Sequence, residues 1–179
     1  MKSSAVNIIS LIVLTLITSC NKEENKTSGT ITINNELAGA GPYYGYGFHV
    51  PTGMKVSNLN SPQDVITLLT NPIIATEEPT ISFTVNNFTD SFIKYGQYSN
   101  ESAAASAFNN LKSFTTTQWE ELADSIKPYQ IWLFRCSDEK YAKIRIISTF
   151  TENRTGMPFP FAECTFEWVY QPDGTQTFQ

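Results

Sequence analysis

The residues that could do chemistry are few. The chain has one histidine, His49, and two methionines beyond the N-terminal region, Met54 and Met157. Its three cysteines are Cys20, Cys136 and Cys164. A Ser-His-Asp or Cys-His unit would have to use His49 as its base, and no aspartate is near it in sequence. Two-histidine metal sites are excluded, and no Cys/His/carboxylate group has metal-ligand spacing. The adjacent carboxylates Glu77-Glu78, Glu120-Glu121 and Asp138-Glu139 fall in turn-like or helical stretches, where solvated charge is the default. Gly39-Ala40-Gly41 and Gly45-Tyr46-Gly47 suggest a phosphate loop. However, no Lys-Ser/Thr pair and no helix pattern follow, and Pro51 interrupts. These residues argue against an enzyme and against a metal centre.

The N-terminus carries the strongest single signal. Lys2 precedes an apolar run, Ala5–Ile17, too short to span a bilayer comfortably. The run ends in Leu16-Ile17-Thr18-Ser19-Cys20, the pattern read by lipoprotein signal peptidase. The expected organisation is a signal peptide over 1–19, a tether over 20–29 starting at a lipidated Cys20, and a single domain over 30–179. The lipid on Cys20 makes the membrane a partner. Lys22-Glu23-Glu24 resembles the export signal of surface-exposed lipoproteins of Bacteroidota, which implies an outer-membrane protein facing the extracellular side. The residues themselves leave the periplasmic leaflet open. A net charge of −5, from 12 basic and 17 acidic residues, gives no footprint for nucleic acid and no attraction to anionic lipid.

The last fifty residues set the fold expectation. Ile131–Cys136 is an apolar strand, and Ser137-Asp138-Glu139-Lys140 is a polar turn. Tyr141–Phe150 then alternates, with Ala142, Ile144, Ile146 and Phe150 on one face and Lys143, Arg145 and Thr149 on a wet one. Thr165–Gln171 alternates again through Phe166, Trp168 and Tyr170, and Pro172-Asp173-Gly174 ends it. Together they predict a three-stranded antiparallel meander. In that meander Cys136 and Cys164 lie at opposite ends of a ten-residue strand, roughly 30 Å apart. A disulfide needs Cα atoms within about 7 Å, so both thiols should be free.

Upstream, Thr27–Asn35 reads as a short edge strand, the aromatic run around Tyr43, Tyr44 and Tyr46 as a strand, and Thr80–Val85 as another. Val65–Leu69 fits a strand or a helical turn. A helix capped by Ser99 or Asn100 should bury Ala104, Ala107, Phe108 and Leu111. A second is suggested by the capping box Thr117-Gln118-Trp119-Glu120, with Trp119, Leu122, Ala123 and Ile126 as its stripe and Lys127-Pro128 as its stop. The fold class is α+β, mostly β: an antiparallel sheet ending in the meander, with one or two short helices packed on it.

Lys140-Tyr141-Ala142-Lys143-Ile144-Arg145-Ile146, Thr165–Gly174 and Phe178 resemble the C-terminal third of HmuY-like haem-binding lipoproteins of Bacteroidota. The resemblance implies a β-rich domain gripping haem between two axial His or Met side chains, and an outer-membrane haem receptor as partner. No position matches a family ligand motif. The available donors are His49, Met54 and Met157, the last in a loop, 151–163, that includes Pro158-Phe159-Pro160-Phe161. A single histidine excludes bis-histidine ligation within one chain. The alternative is a non-enzymatic surface lipoprotein that binds glycan or protein through aromatics such as Phe159 and Phe161.

Overall fold

The strand-forming stretches build two antiparallel sheets in the computed structural model of the chain, which describes residues 26–37, 45–57, 62–71, 78–86, 90–156 and 159–178. Numbered in chain order, the strands are β1 (Ser28–Asn34), β2 (Tyr46–His49), β3 (Met54–Ser57), β4 (Val65–Thr70), β5 (Ile81–Val85), β6 (Phe92–Gln97), β7 (Gln130–Arg135), β8 (Tyr141–Glu152) and β9 (Phe161–Gln171). A 3-10 turn, Val50–Thr52, joins β2 to β3, and one helix, α1 (Glu101–Asn110), lies between β6 and β7. One sheet runs β1-β9-β8-β7-β6 and the other β3-β2-β4-β5. The expected meander is β7-β8-β9, and the Thr27–Asn35 pattern becomes β1 at its edge. The aromatic strand is described only as β2; Tyr43 and Tyr44 lie outside the described residues.

The two sheets share one core. Alternate residues of β9 (Cys164, Phe166, Trp168, Tyr170) and β8 (Ala142, Ile144, Ile146) face Phe48 of β2, Ile66 and Leu68 of β4, and Ile81 and Phe83 of β5. Rings fix the spacing: Phe48 lies 4.9 Å from Trp168, and Phe83 lies 5.3 Å from Phe166. Such pairs add about 0.5–1.5 kcal/mol beyond area burial. Gly47 lets β2 sit against β4, because a Cβ there would come within 2.4 Å of Val65 Cγ1 and 2.7 Å of Ile66 O. Gly53 turns at φ +66° directly under the Trp168 indole.

The opposite face of the five-stranded sheet is covered by α1. Phe108, Leu111, Phe114 and Phe178 pack there on Ile131 and Leu133. β7 is therefore buried on both faces, which is why Ile131-Trp132-Leu133-Phe134 is a continuous apolar run rather than an alternation. Asn100 caps α1, its Oδ1 accepting from Ala103 N at 2.9 Å. Both Cys136 and Cys164 are free and buried, at opposite ends of β8.

Three expectations are corrected besides the wet face of β8, which is covered so that Lys143 is 3% and Arg145 8% exposed. The second helix over 117–127 does not form. Glu120 instead exchanges backbone hydrogen bonds with Phe92 (2.8 and 2.9 Å), Ala123 with Phe83 (3.1 Å each), and Ile126 N donates to Ile81 O at 2.8 Å. This segment covers the edges of β6 and β5, and those open strand edges satisfy its amides better than a helical turn would. Second, a register shift between Ile146 and Ser148 reverses the phase of β8. Thr149 turns inward opposite Cys164, while Phe150 turns outward opposite Glu163 and is 54% exposed. Third, the loop expected over 151–163 is shorter, because β8 reaches Glu152 and β9 begins at Phe161.

Candidate functional site

Of the expected haem donors, His49 and Met54 are described, both on the β2–β3 hairpin. His49 and Met54 oppose each other across the β2–β3 hairpin, so both project from the same face of the four-stranded sheet. Two side chains rising in parallel reach one side of a porphyrin, not both. His49 Nδ1 lies 2.7 Å from Thr52 Oγ1, Met54 is 48% exposed, and burial pushes the His49 imidazole below its usual pKa against the pull of Asp64. The burial favours the neutral form of the ring. Met157 and Cys20 lie outside the described residues.

Close to His49 the fold assembles a group that spacing did not reveal. Asp64, Cys136 and Asp138 place one donor atom each within 4.8 Å of one another. Asp64 is buried at φ +64°, and its carboxylate accepts from Ser137 N (2.7 Å) and Ser137 Oγ (2.9 Å), 73 positions along the chain. Asp138 pairs with Lys140 at 2.7 Å. Burial, then the charges of Asp64 and Asp138, hold the Cys136 thiol protonated. The donor set could hold a divalent ion if the thiol lost its proton and Asp138 released Lys140, since Asp64 can ligate while still accepting from Ser137. As it stands, it ties the loop before β4 to the β7–β8 turn.

The open site lies at the other end of β8. β7 accompanies β8 only as far as Arg145, so from Ser148 to Glu152 the β8–β9 ribbon has no strand beyond β8 among the described residues. Beside that free edge is a cleft of about 200 Å³. Its lining residues include Thr80, Ser125, Thr149 and Thr151, which carry hydroxyls, with Lys127 and Phe150. It is smaller than the ~300–1,000 Å³ of a typical drug-sized or cofactor site. On the adjoining face Phe150 meets Phe161 edge-on at 6.2 Å, and the Arg154 guanidinium covers Phe161 at 3.8 Å. Ion pairs to Glu36 (3.0 Å) and Glu152 (2.9 Å) hold Arg154 in place. Phe159, beyond the ribbon, is 49% exposed.

Sequence reading found Phe159 and Phe161 here but missed Phe150 and Arg154. The bulge that turns Phe150 outward leaves no local mark, and the Arg154–Glu36 pair spans 118 positions. No family model matches the chain, nor does any curated protein or solved structure. Among the described residues no helix is long and apolar enough to cross a membrane.

Proposed function

We propose that this protein is an outer-membrane lipoprotein, held by a lipid on Cys20 and facing outward, that binds carbohydrate at the free end of the β8–β9 ribbon and catalyses no reaction. The observation that carries the reading is the pairing of exposed aromatic rings with a hydroxyl-lined cleft, joined at Phe150. A sugar presents an apolar face that suits a ring and a rim of hydroxyls that suits Thr and Ser, and a 200 Å³ cleft suits a single sugar unit better than a large cofactor. No histidine lines the cleft, so it has no imidazole acid or base.

The test is affinity electrophoresis of the full-length protein, extracted in detergent, through gels containing a panel of polysaccharides. Retardation by at least one polysaccharide, lost in Phe150→Ala or Phe159→Ala, is expected. No retardation anywhere in the panel, or retardation unchanged in both variants, defeats the reading. Haem is separated by titrating the same protein with haemin before and after dithionite. A saturable Soret shift abolished by His49→Ala or Met54→Ala would replace carbohydrate with haem, since neither residue lines the cleft.

A further inference from the structure

β1 is an edge strand, and its hydrogen bonds show which of its backbone groups are unused. Tyr170 N donates to Thr27 O at 2.6 Å, and Asn35 N donates to Ala162 O at 3.1 Å. Both contacts continue the β1–β9 register, in which Ser28 faces Val169 and Asn34 faces Glu163. In an antiparallel ladder hydrogen-bonded pairs alternate with non-bonded pairs. Odd-numbered residues from Thr27 to Asn35 therefore turn their N–H and C=O toward β9. Ser28, Thr30, Thr32 and Asn34 turn theirs outward. Among the described residues no strand pairs with that side. The devices that usually blunt such an edge are absent: Ser28–Asn34 has no Lys, no Pro and no bulge.

We infer that this edge pairs with the same edge of a second copy of the chain, antiparallel about a two-fold axis at Ile31. Within the strand this register alone uses every outward group. Ser28 meets Asn34 of the other copy and Thr30 meets Thr32, twice over, for roughly eight backbone hydrogen bonds. The same register continues past the strand to oppose Lys26 and Glu36. Alternation sets both on the face that carries Thr30 and Thr32. The Glu36 corner holds Glu36 and Glu152 around the single cation Arg154 and so is one negative charge in excess. Lys26 of the second copy neutralises it, and symmetry makes the contact twice. The outcome is a continuous ten-stranded sheet whose two exposed Thr30–Thr32 pairs favour cross-strand packing.

The molar mass of the full-length protein, extracted in detergent and followed by analytical ultracentrifugation across a dilution series, tests this. The wild type should be a dimer. Thr30→Pro should be a folded monomer that melts where the wild type melts once diluted to monomer, because the Thr30 N–H points away from β9 and its loss removes no internal bond. Lys26→Glu and Glu36→Lys should each weaken dimerisation by about tenfold or more through two like-charge contacts. Lys26→Glu/Glu36→Lys should restore it. A wild type that stays monomeric at every concentration overturns the inference. So does a dimer that survives Thr30→Pro, which would place the contact elsewhere, or a double variant no tighter than the single ones.

Discussion

Lys143 shows how far a residue can depart from its pattern. Alternation along Tyr141–Phe150 puts it on a wet face, yet it is 3% exposed. α1 covers that face, and its last turn supplies the polar partners: Lys143 Nζ donates to Phe108 O at 2.7 Å and to Leu111 O at 3.0 Å, between the rings of Phe108 and Phe178. A cation at a helix C-terminus is favoured by the exposed carbonyls there. Burial outweighs this, and with the neighbouring Lys112 charge it pulls the lysine down to about 8, opposed by Glu167. The folded state then binds fewer protons than the unfolded chain between about pH 8 and the ordinary lysine value near 10.5. Stability from this group is lowest below pH 8 and rises as pH climbs through that window. The stability of wild type relative to Lys143→Met, from urea unfolding at pH 7.5, 9 and 10.5, should rise by about 2–3 kcal/mol. A flat difference would mean that the ammonium is as well solvated in the fold as outside it. The buried thiols of Cys136 and Cys164 also have raised pKa values, so they oppose the trend above pH 9, but equally in both proteins.

Among the elements, β1, β5, β8 and β9 were legible because each writes a period-2 pattern, and the meander was readable from its turns, whereas β3 and β6 were not read as strands. β7 was readable as a strand but not as a central one, since a run of apolar residues does not say what covers its second face. The two helix signals are the instructive contrast. Asn100 caps a real helix, while Thr117-Gln118-Trp119-Glu120 has the better local motif and makes none. The difference is non-local: Glu120 and Ala123 find the unpaired edges at Phe92 and Phe83. That competition yields a prediction. Asn100→Ala removes the acceptor of the Ala103 amide and should cost about 1 kcal/mol in urea unfolding. Thr117→Ala removes an exposed hydroxyl that caps nothing and should stay within about 0.5 kcal/mol. Equal losses would return a helical turn to that segment. The cleft was illegible for a similar reason. Pro79–Ile81, Ser125–Lys127 and Thr149–Thr151 meet only because β8 outruns β7, and no stretch of sequence records how far its neighbour extends.

For the whole molecule, the domain and its proposed anchor meet at β1. Lys26 O lies 3.0 Å from where a Gly53 Cβ would sit, and the ladder to β9 already holds at Thr27. The described part of the domain therefore starts six positions after Cys20. Fully extended, the six steps from Cys20 to Lys26 span at most about 20 Å, so a lipid on Cys20 would hold the β-sheets close against the membrane surface. One acyl chain binds a bilayer only marginally, whereas two or more make the attachment stable. A diacylglyceryl thioether on Cys20 meets that requirement, and a serine in its place cannot. Metabolic labelling with palmitate should therefore mark the wild-type chain and leave Cys20→Ser unmarked. The variant should also separate from membranes on high-speed sedimentation, while its far-ultraviolet circular dichroism stays unchanged, because the described strands begin only at Ser28. Equal labelling of both chains would remove the anchor. The outer-membrane reading would fall with it, leaving the carbohydrate site and the β1 pairing to stand on their own tests.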